Sequence, residues 1–313
     1  MAATVRIGTC SWADESLVKH FYPSSVRTAE ERLRYYADRF DTVEVDSTYY
    51  TIPARETVAR WAERTPEDFV FHVKAFGLMT RHPVQAKQLP TDLREAMPLD
   101  DKGRVDRPPR PLRGEVFRRF LEALEPLREA RKLGGILFQL PSYVVRKPVS
   151  YDYLTWAKEQ LGDDRMLVEF RHRSWLEEEA RPEVLGFLEE LGATLVVVDA
   201  PKTEGKNLIP TVLALTSSVA YVRFHGRNAA TWNTRGGSAA TRFDYFYPPE
   251  ELADWVAPLA ELAGGAEEAY AMFNNNNRGV PPGVSDPTQI EAQAAWNAEQ
   301  LRSLLEEARV PVR

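Results

Sequence analysis

Eight strand-length runs of β-branched, aromatic or alternating residues recur along this chain, and helical spacing separates most of them. The runs are Val5 to Thr9, Thr42 to Ser47, Phe69 to Ala75, Gly135 to Leu140, Met166 to His172, Thr194 to Asp199, Ala220 to His225 and Ala269 to Asn274. Between them, Thr28 to Phe40, Arg55 to Arg64, Glu115 to Lys132, Tyr151 to Leu161, Glu177 to Leu191 and Glu250 to Leu262 carry apolar residues at helical intervals. Thr28 with Glu31 has the spacing of a capping box, and Pro248-Pro249 before Glu250-Glu251 suits a first helical turn. Eight strands with helical crossovers predict an α/β fold, a (β/α)8 TIM barrel, closed by a last helix over Thr288 to Ala308. An open doubly wound sheet would want a glycine-rich phosphate turn after the first strand, and Gly8-Thr9-Cys10-Ser11-Trp12 is not one. The weakest unit is the sixth crossover, which has only Thr211 to Ser217 to work with.

The 313 residues therefore read as a single domain, 1–313, and 43% hydrophobic residues supply its core. The balance of 40 Lys and Arg against 46 Asp and Glu gives −6, so bulk charge attracts neither phosphate nor anionic lipid. A lone cysteine, Cys10, cannot form an intrachain disulfide and reads as a small buried residue. The chain starts without a signal-like apolar region, and its longest apolar run, Ala193 to Val198, is far short of the roughly 20 residues of a membrane span. A cytoplasmic protein without membrane contact is expected.

Two loops are enlarged, after strands three and seven. The first, an Arg/Pro-rich insert at about 77–114, opens a stretch from Gly77 to Arg119 with ten Lys and Arg against six Asp and Glu, about +4 inside an acidic chain. The second, Gly226 to Tyr247, mixes Arg227, Asn228, Trp232, Arg235 and Arg242 with Phe243, Tyr245, Phe246 and Tyr247. In a barrel both loops belong to the C-terminal face, where ligands bind. Arginines among aromatics can grip a base, a sugar or a phosphate, and the same aromatics can simply pack the loop onto the barrel.

Strand alternation sorts the polar residues. Glu44 and Asp46 share one phase against Val43 and Val45; His72 and Lys74 oppose Phe71 and Val73; Glu169 and Arg171 oppose Val168 and Phe170; Arg223 and His225 oppose Val222 and Phe224. The helix-facing side must be apolar, so these rows are expected to point into the barrel, joined at strand ends by Gln139, His172, Asp199 and Asn274. Such a ring is either a buried salt-bridge network or a site, and the cost of burying so many charges favours a site. Glu169 is then the candidate general base and His225 the candidate acid, with Asp46 and His72 as further acid/base groups. Arg171, Arg223 and Lys74 become clamps for an anion. The resulting expectation is an enzyme acting on an anionic, phosphate-bearing substrate, nucleic acid included, by acid/base chemistry. A non-catalytic module binding nucleic acid or protein is one alternative, and a metal-dependent hydrolase is another. No cofactor is expected; a divalent metal would need the carboxylates that the neighbouring cations compete for.

Gly8-Thr9-Cys10-Ser11-Trp12, Val43-Glu44-Val45-Asp46-Ser47-Thr48-Tyr49-Tyr50, Phe71-His72-Val73-Lys74, Glu169-Phe170-Arg171-His172, Arg223-Phe224-His225-Gly226-Arg227-Asn228 and Phe273-Asn274-Asn275 follow one another in the order of the motifs of the YecE-like family, domain-of-unknown-function family 72. The chain resembles that family over nearly its whole length. The resemblance implies a TIM barrel and no established reaction, although the family has been likened to endonuclease IV-like barrels. One departure stands out: the family's asparagine pair leads quickly into a closing helix with an Asn-Ala pair, here Asn297-Ala298. This chain interposes Asn276-Asn277-Arg278-Gly279-Val280-Pro281-Pro282-Gly283, which weakens the expectation for Asn275 as a ligand residue.

Overall fold

The computed structural model describes residues 2–202, 208–232 and 239–313. Eight parallel strands form its centre: β1 Val5–Thr9, β2 Thr42–Val45, β3 Val70–Lys74, β4 Leu133–Gln139, β5 Met166–Glu169, β6 Thr194–Asp199, β7 Val219–Phe224 and β8 Glu268–Phe273. The hydrogen-bonded order runs β1-β8-β7-β6-β5-β4-β3-β2, the cyclic order of the expected (β/α)8 barrel with one seam between β1 and β2. Two apolar layers sandwich the strands. Leu137, Leu167, Val196, Val198, Tyr221, Tyr270 and Met272 fill the interior with Cys10, while Val5, Val43, Phe71, Phe138, Val168, Val197 and Val222 face the helices. Cys10 is thus buried, as its reading from sequence requires.

The seam explains two residues of the first motifs. A Cβ on Gly8 would stand 2.3 Å from the Thr42 carbonyl oxygen, so only glycine lets β1 approach β2 this closely. In place of ladder bonds, the buried Tyr36 hydroxyl accepts from Thr9 N at 2.9 Å and donates to Thr42 O at 3.1 Å. Tyr36→Phe leaves both backbone groups unpaired in an apolar setting, and about 2 kcal/mol of stability should be lost. Urea unfolding with an unchanged m-value checks this, and an unshifted midpoint would show that the hydroxyl does not hold the seam.

Helix boundaries follow local chemistry. Thr28 and Glu31 form the expected capping box in front of Ala29–Ala37. The helix expected from Glu250 is two, Pro249–Ala253 and Val256–Gly265, and the closing helix is Gln293–Glu307, shorter than expected. Among the described residues the sixth crossover carries no helix. The insert after β3 is built from short elements: a turn of 3₁₀ helix at Gly77–Thr80, a ribbon of Val84–Gln85 with Arg104–Val105, and helices Thr91–Ala96 and Arg110–Ala123. Its acidic residues are met by part of its arginines: Arg104 pairs with Asp100, Arg118 with Glu115 and Glu122, and Arg119 with Asp92 and Glu115. No helix among the described residues is long and apolar enough to cross a membrane.

Candidate active site

The β4–β5 register sets Gln139 beside Glu169, and parallel pairing brings the polar rows of β2, β3, β5 and β7 to the carboxyl ends of the strands. Arg223 spans the barrel at their centre. Its guanidinium donates to Glu44 Oε1 at 2.6 Å and to Glu169 Oε2, so one cation joins β2, β5 and β7. Tyr221 donates to the other oxygen of Glu44 at 3.0 Å. Glu169 accepts four hydrogen bonds: from Arg223, from Gln139 at 2.7 Å, from Arg171 at 3.0 Å and from His225 Nε2 at 3.0 Å. Three of these donors meet Oε1 and one, Arg223, meets Oε2. Burial alone would raise its pKa, but Arg223, His225 and Arg171 together hold it well below the usual carboxylate range.

Two of the expected roles meet competing contacts. Glu169, held by four donors and kept acidic by its cations, is poorly suited to act as a general base near neutrality. Burial also pulls His225 down to about 3, and the amide of Asn274 lies 2.8 Å from its Nδ1. With the Asn274 amide donating to Nδ1, the single ring proton belongs on Nε2 and is given to Glu169, an arrangement that suits a neutral positioning group better than an acid. His72 is lower in the barrel, wedged between the rings of Tyr221 and Tyr270 with centroids at 4.7 and 4.3 Å, and burial lowers it to about 3. It packs the interior and does not reach the mouth.

Asp199 is a misassigned phase. It shares parity with Leu195 and Val197, which face the helices, and binds Arg227 through both oxygens at 2.9 to 3.1 Å, an ion pair that Glu251 extends. Arg227 and Asp199 therefore brace the outer layer. Asn228 donates to Asp244 O, and His172 lies 2.9 Å from the Ser174 hydroxyl and caps the turn at Arg173–Trp175. Asn275 donates to Tyr245 O and to Asn297, stapling the second loop to the closing helix in keeping with the doubt that the departure in motif raised. Gly226 makes that loop's turn with φ +82°, where a Cβ would meet Tyr245 at 2.6 Å. Arg235 lies outside the described residues.

Two charged side chains at the mouth remain uncommitted. Among the described residues the side chains of Asp46 and Lys74, both partly buried, make no hydrogen bond and no ion pair; the ammonium of Lys74 sits 4.7 Å from the centre of the Tyr49 ring. Burial raises Asp46 to about 6, against the opposing pull of Lys74. Burial also lowers Lys74, helped by Arg223 and countered by the carboxylates of Glu44, Asp46 and Glu169. Nearby stands Arg171, 5.3 Å from the buried Trp232 ring, and beyond it Arg242, lowered by burial and by the like charge of Arg171. His82 from the insert lies against Tyr49 at 5.1 Å, lowered to about 4 by burial and by Lys74 and Arg171. Tyr49 and His82 were not anticipated from sequence. Tyr49 lies within a quoted motif, but only its closeness to Lys74 in space gives it a role, and nothing in the composition of the insert marks His82.

Among the described residues no three His, Cys, Asp or Glu side chains come together as a metal-holding group, and Arg223 occupies both Glu44 and Glu169.

Comparison with known proteins returns one family. The model of a protein of unknown function, DUF72, matches residues 6–312. UPF0759 protein YunF of Bacillus subtilis is 32% identical over 306 residues, covering 96% of this chain and 95% of its own. UPF0759 protein YecE of Escherichia coli K12 is 25% identical over 229 residues, 68% of this chain and 73% of its own. Among solved structures, a DUF72 family protein from Thermotoga maritima superposes with a TM-score of 0.73 at 31% identity, covering 97% of this chain and 99% of that one. One from Enterococcus faecalis gives 0.71 at 27%, covering 97% and 98%.

Proposed function

We infer that this chain, which belongs to the DUF72 family of proteins of unknown function, is an enzyme carrying out acid/base chemistry on a small anionic substrate at the carboxyl end of its barrel. The observation that carries the reading is the contrast at the mouth: Glu44, Glu169, Arg223 and His225 satisfy one another, while among the described residues the side chains of Asp46 and Lys74 have neither a hydrogen bond nor an ion pair. A buried network alone would leave no acid or cation over. Asp46, raised to about 6, sits where a group exchanges protons most effectively near neutral pH, and is the proton donor and acceptor. Lys74, Arg171 and Arg242 receive the anion or a developing negative charge, and the Glu169 network fixes Arg171 in place. Trp232 and Tyr49 wall the opening with apolar surface, which strengthens each charge inside.

A phosphate-bearing metabolite fits this opening better than a polymer. Arg104, Arg118 and Arg119 are neutralised by neighbouring carboxylates and do not form a continuous track for a polymer, and a nucleic-acid or protein-binding module gives no role to the acid and ammonium at the mouth. The test is to incubate the protein with pooled small anionic metabolites and follow their loss by mass spectrometry. One or more should be consumed, with a pH profile inflecting near 6, and not by Asp46→Asn. Equal consumption by the variant, or none by either, would sink the reading.

A further inference from the structure

A second cluster of cations lies outside the mouth, on the flank of the barrel. Three arginines of the insert, Arg81, Arg110 and Arg113, line a cavity of about 270 Å³ together with Val149, Asp152, Tyr153 and Trp156. Their guanidiniums lie over two aromatic rings: Arg81 at 5.0 Å and Arg113 at 5.4 Å from Tyr153, and Arg110 at 5.3 Å and Arg113 at 5.4 Å from Trp156. Both rings are nearly inaccessible, and the Tyr153 hydroxyl is spent on Met79 O at 2.5 Å, so they serve as platforms. Among the described residues none of the three arginines pairs with a carboxylate, and Arg113 donates to Pro108 O at 2.8 Å. This is where the insert's surplus charge is concentrated, because its other arginines are largely paired or bound to backbone carbonyls.

Like charges held over shared rings repel one another, and burial with neighbouring Arg107 and Arg113 lowers Arg81 accordingly. The backbone adds to this concentration. Arg81 is in the left-handed region at φ +68°, a conformation disfavoured for a side chain of its size, which follows the turn at Gly77–Thr80.

We propose that this cavity is a binding site for the phosphoryl group of a small phosphorylated molecule, held by Arg81, Arg110 and Arg113. Guanidinium forks match phosphate oxygens two at a time, and aromatic platforms fix the forks in advance. Asp152 on the rim accepts a hydroxyl of the ligand's organic part and would repel a bare anion placed beside it. The site is separate from the mouth: Arg81 turns to Tyr153, whereas its neighbour His82 turns to Tyr49 beside Lys74.

The experiment uses the unmodified protein. Phenylglyoxal labels accessible guanidiniums, and peptide mass spectrometry reads each arginine by itself. Glycerol 3-phosphate should slow labelling of Arg81, Arg110 and Arg113 while exposed Arg309 keeps its rate, and the same protection should persist in Lys74→Ala. In Arg110→Ala/Arg113→Ala, the affinity for glycerol 3-phosphate should fall about tenfold or more, the loss of one or two charge-assisted contacts. Unchanged labelling of Arg81 and Arg113 would overturn the proposal, as would protection that disappears in Lys74→Ala, which would put the phosphate at the barrel mouth. The proposed acid/base reaction could fail with this site intact, because the labelling does not depend on turnover.

Discussion

Asp46→Asn should make the fold more stable at pH 7.5 while removing turnover. Asp46 has an ordinary value of 3.8 and stands at about 6 in the fold, raised by burial. Between those values the folded protein keeps a proton that the unfolded chain releases, so stability falls as pH rises through this window. Above pH 6 the fold carries the full penalty, and below about 4 it carries none. Two units correspond to about 3 kcal/mol, an upper limit because the group is partly solvated. The amide has no proton to lose, so the urea midpoint of the variant should exceed that of the parent at pH 7.5, and the two should converge as pH drops to 4. Loss of a general acid/base should slow turnover by roughly 100-fold or more. A variant less stable than the parent at pH 7.5 would show that the carboxylate contributes to the fold, as a structural residue does.

Arg223→Met should do the reverse and damage the fold severely. Arg223 neutralises Glu44 and Glu169 in a fully buried setting, and removing it leaves two carboxylates with no permanent cation between them. Breaking a buried network from one side costs about 3–5 kcal/mol at neutral pH. The sign with pH follows from Glu169, which its partners hold below the usual range. In the parent, this group's contribution is complete above its unfolded value and is lost as pH falls through the folded one. In the variant burial wins, the carboxyl rises, and acidification relieves the damage, so the gap between the two proteins narrows on going from pH 7 to pH 4. Adding Glu44→Gln and Glu169→Gln to Arg223→Met should recover most of the loss, because neutral amides can still bond Tyr221 and Gln139. If the single substitution costs less than about 1 kcal/mol, the network is not what holds the three strands in register.

The barrel was legible because β-strand alternation is rigid: one phase of β2, β3, β5 and β7 is apolar, so the polar phase had only the interior left. Asp199 went astray where that logic has no grip. Leu195, Val196, Val197 and Val198 are apolar on both faces, so nothing local marks which face the next residue takes. Roles were harder to read than places. Glu169 and Asp46 are both inward carboxylates in sequence, and only the four donors around the first and the absence of any around the second separate a structural anion from a titrating one. The insert shows the same limit. Its charge could be counted, but which arginines cancel at home and which collect over Tyr153 and Trp156 depends on how a ribbon and two helices turn the chain.

The seam has a consequence during synthesis. Among the described residues β1 has a single ladder partner, β8, in which Thr9 pairs with Phe273, and its own start is bonded to the chain's last residues by Val5 N to Pro311 O and Arg313 N to Val5 O. β1 is therefore zipped late, and it waits as an unpaired edge until β8, made about 260 residues after it, has emerged from the ribosome. Arg6, in the middle of that five-residue strand, places a charge in it throughout the wait and finds Asp41 and Asp68 O only when the cylinder shuts. A nascent chain arrested before Phe273 would display β1 to its neighbours, with this one arginine standing between the strand and intermolecular pairing.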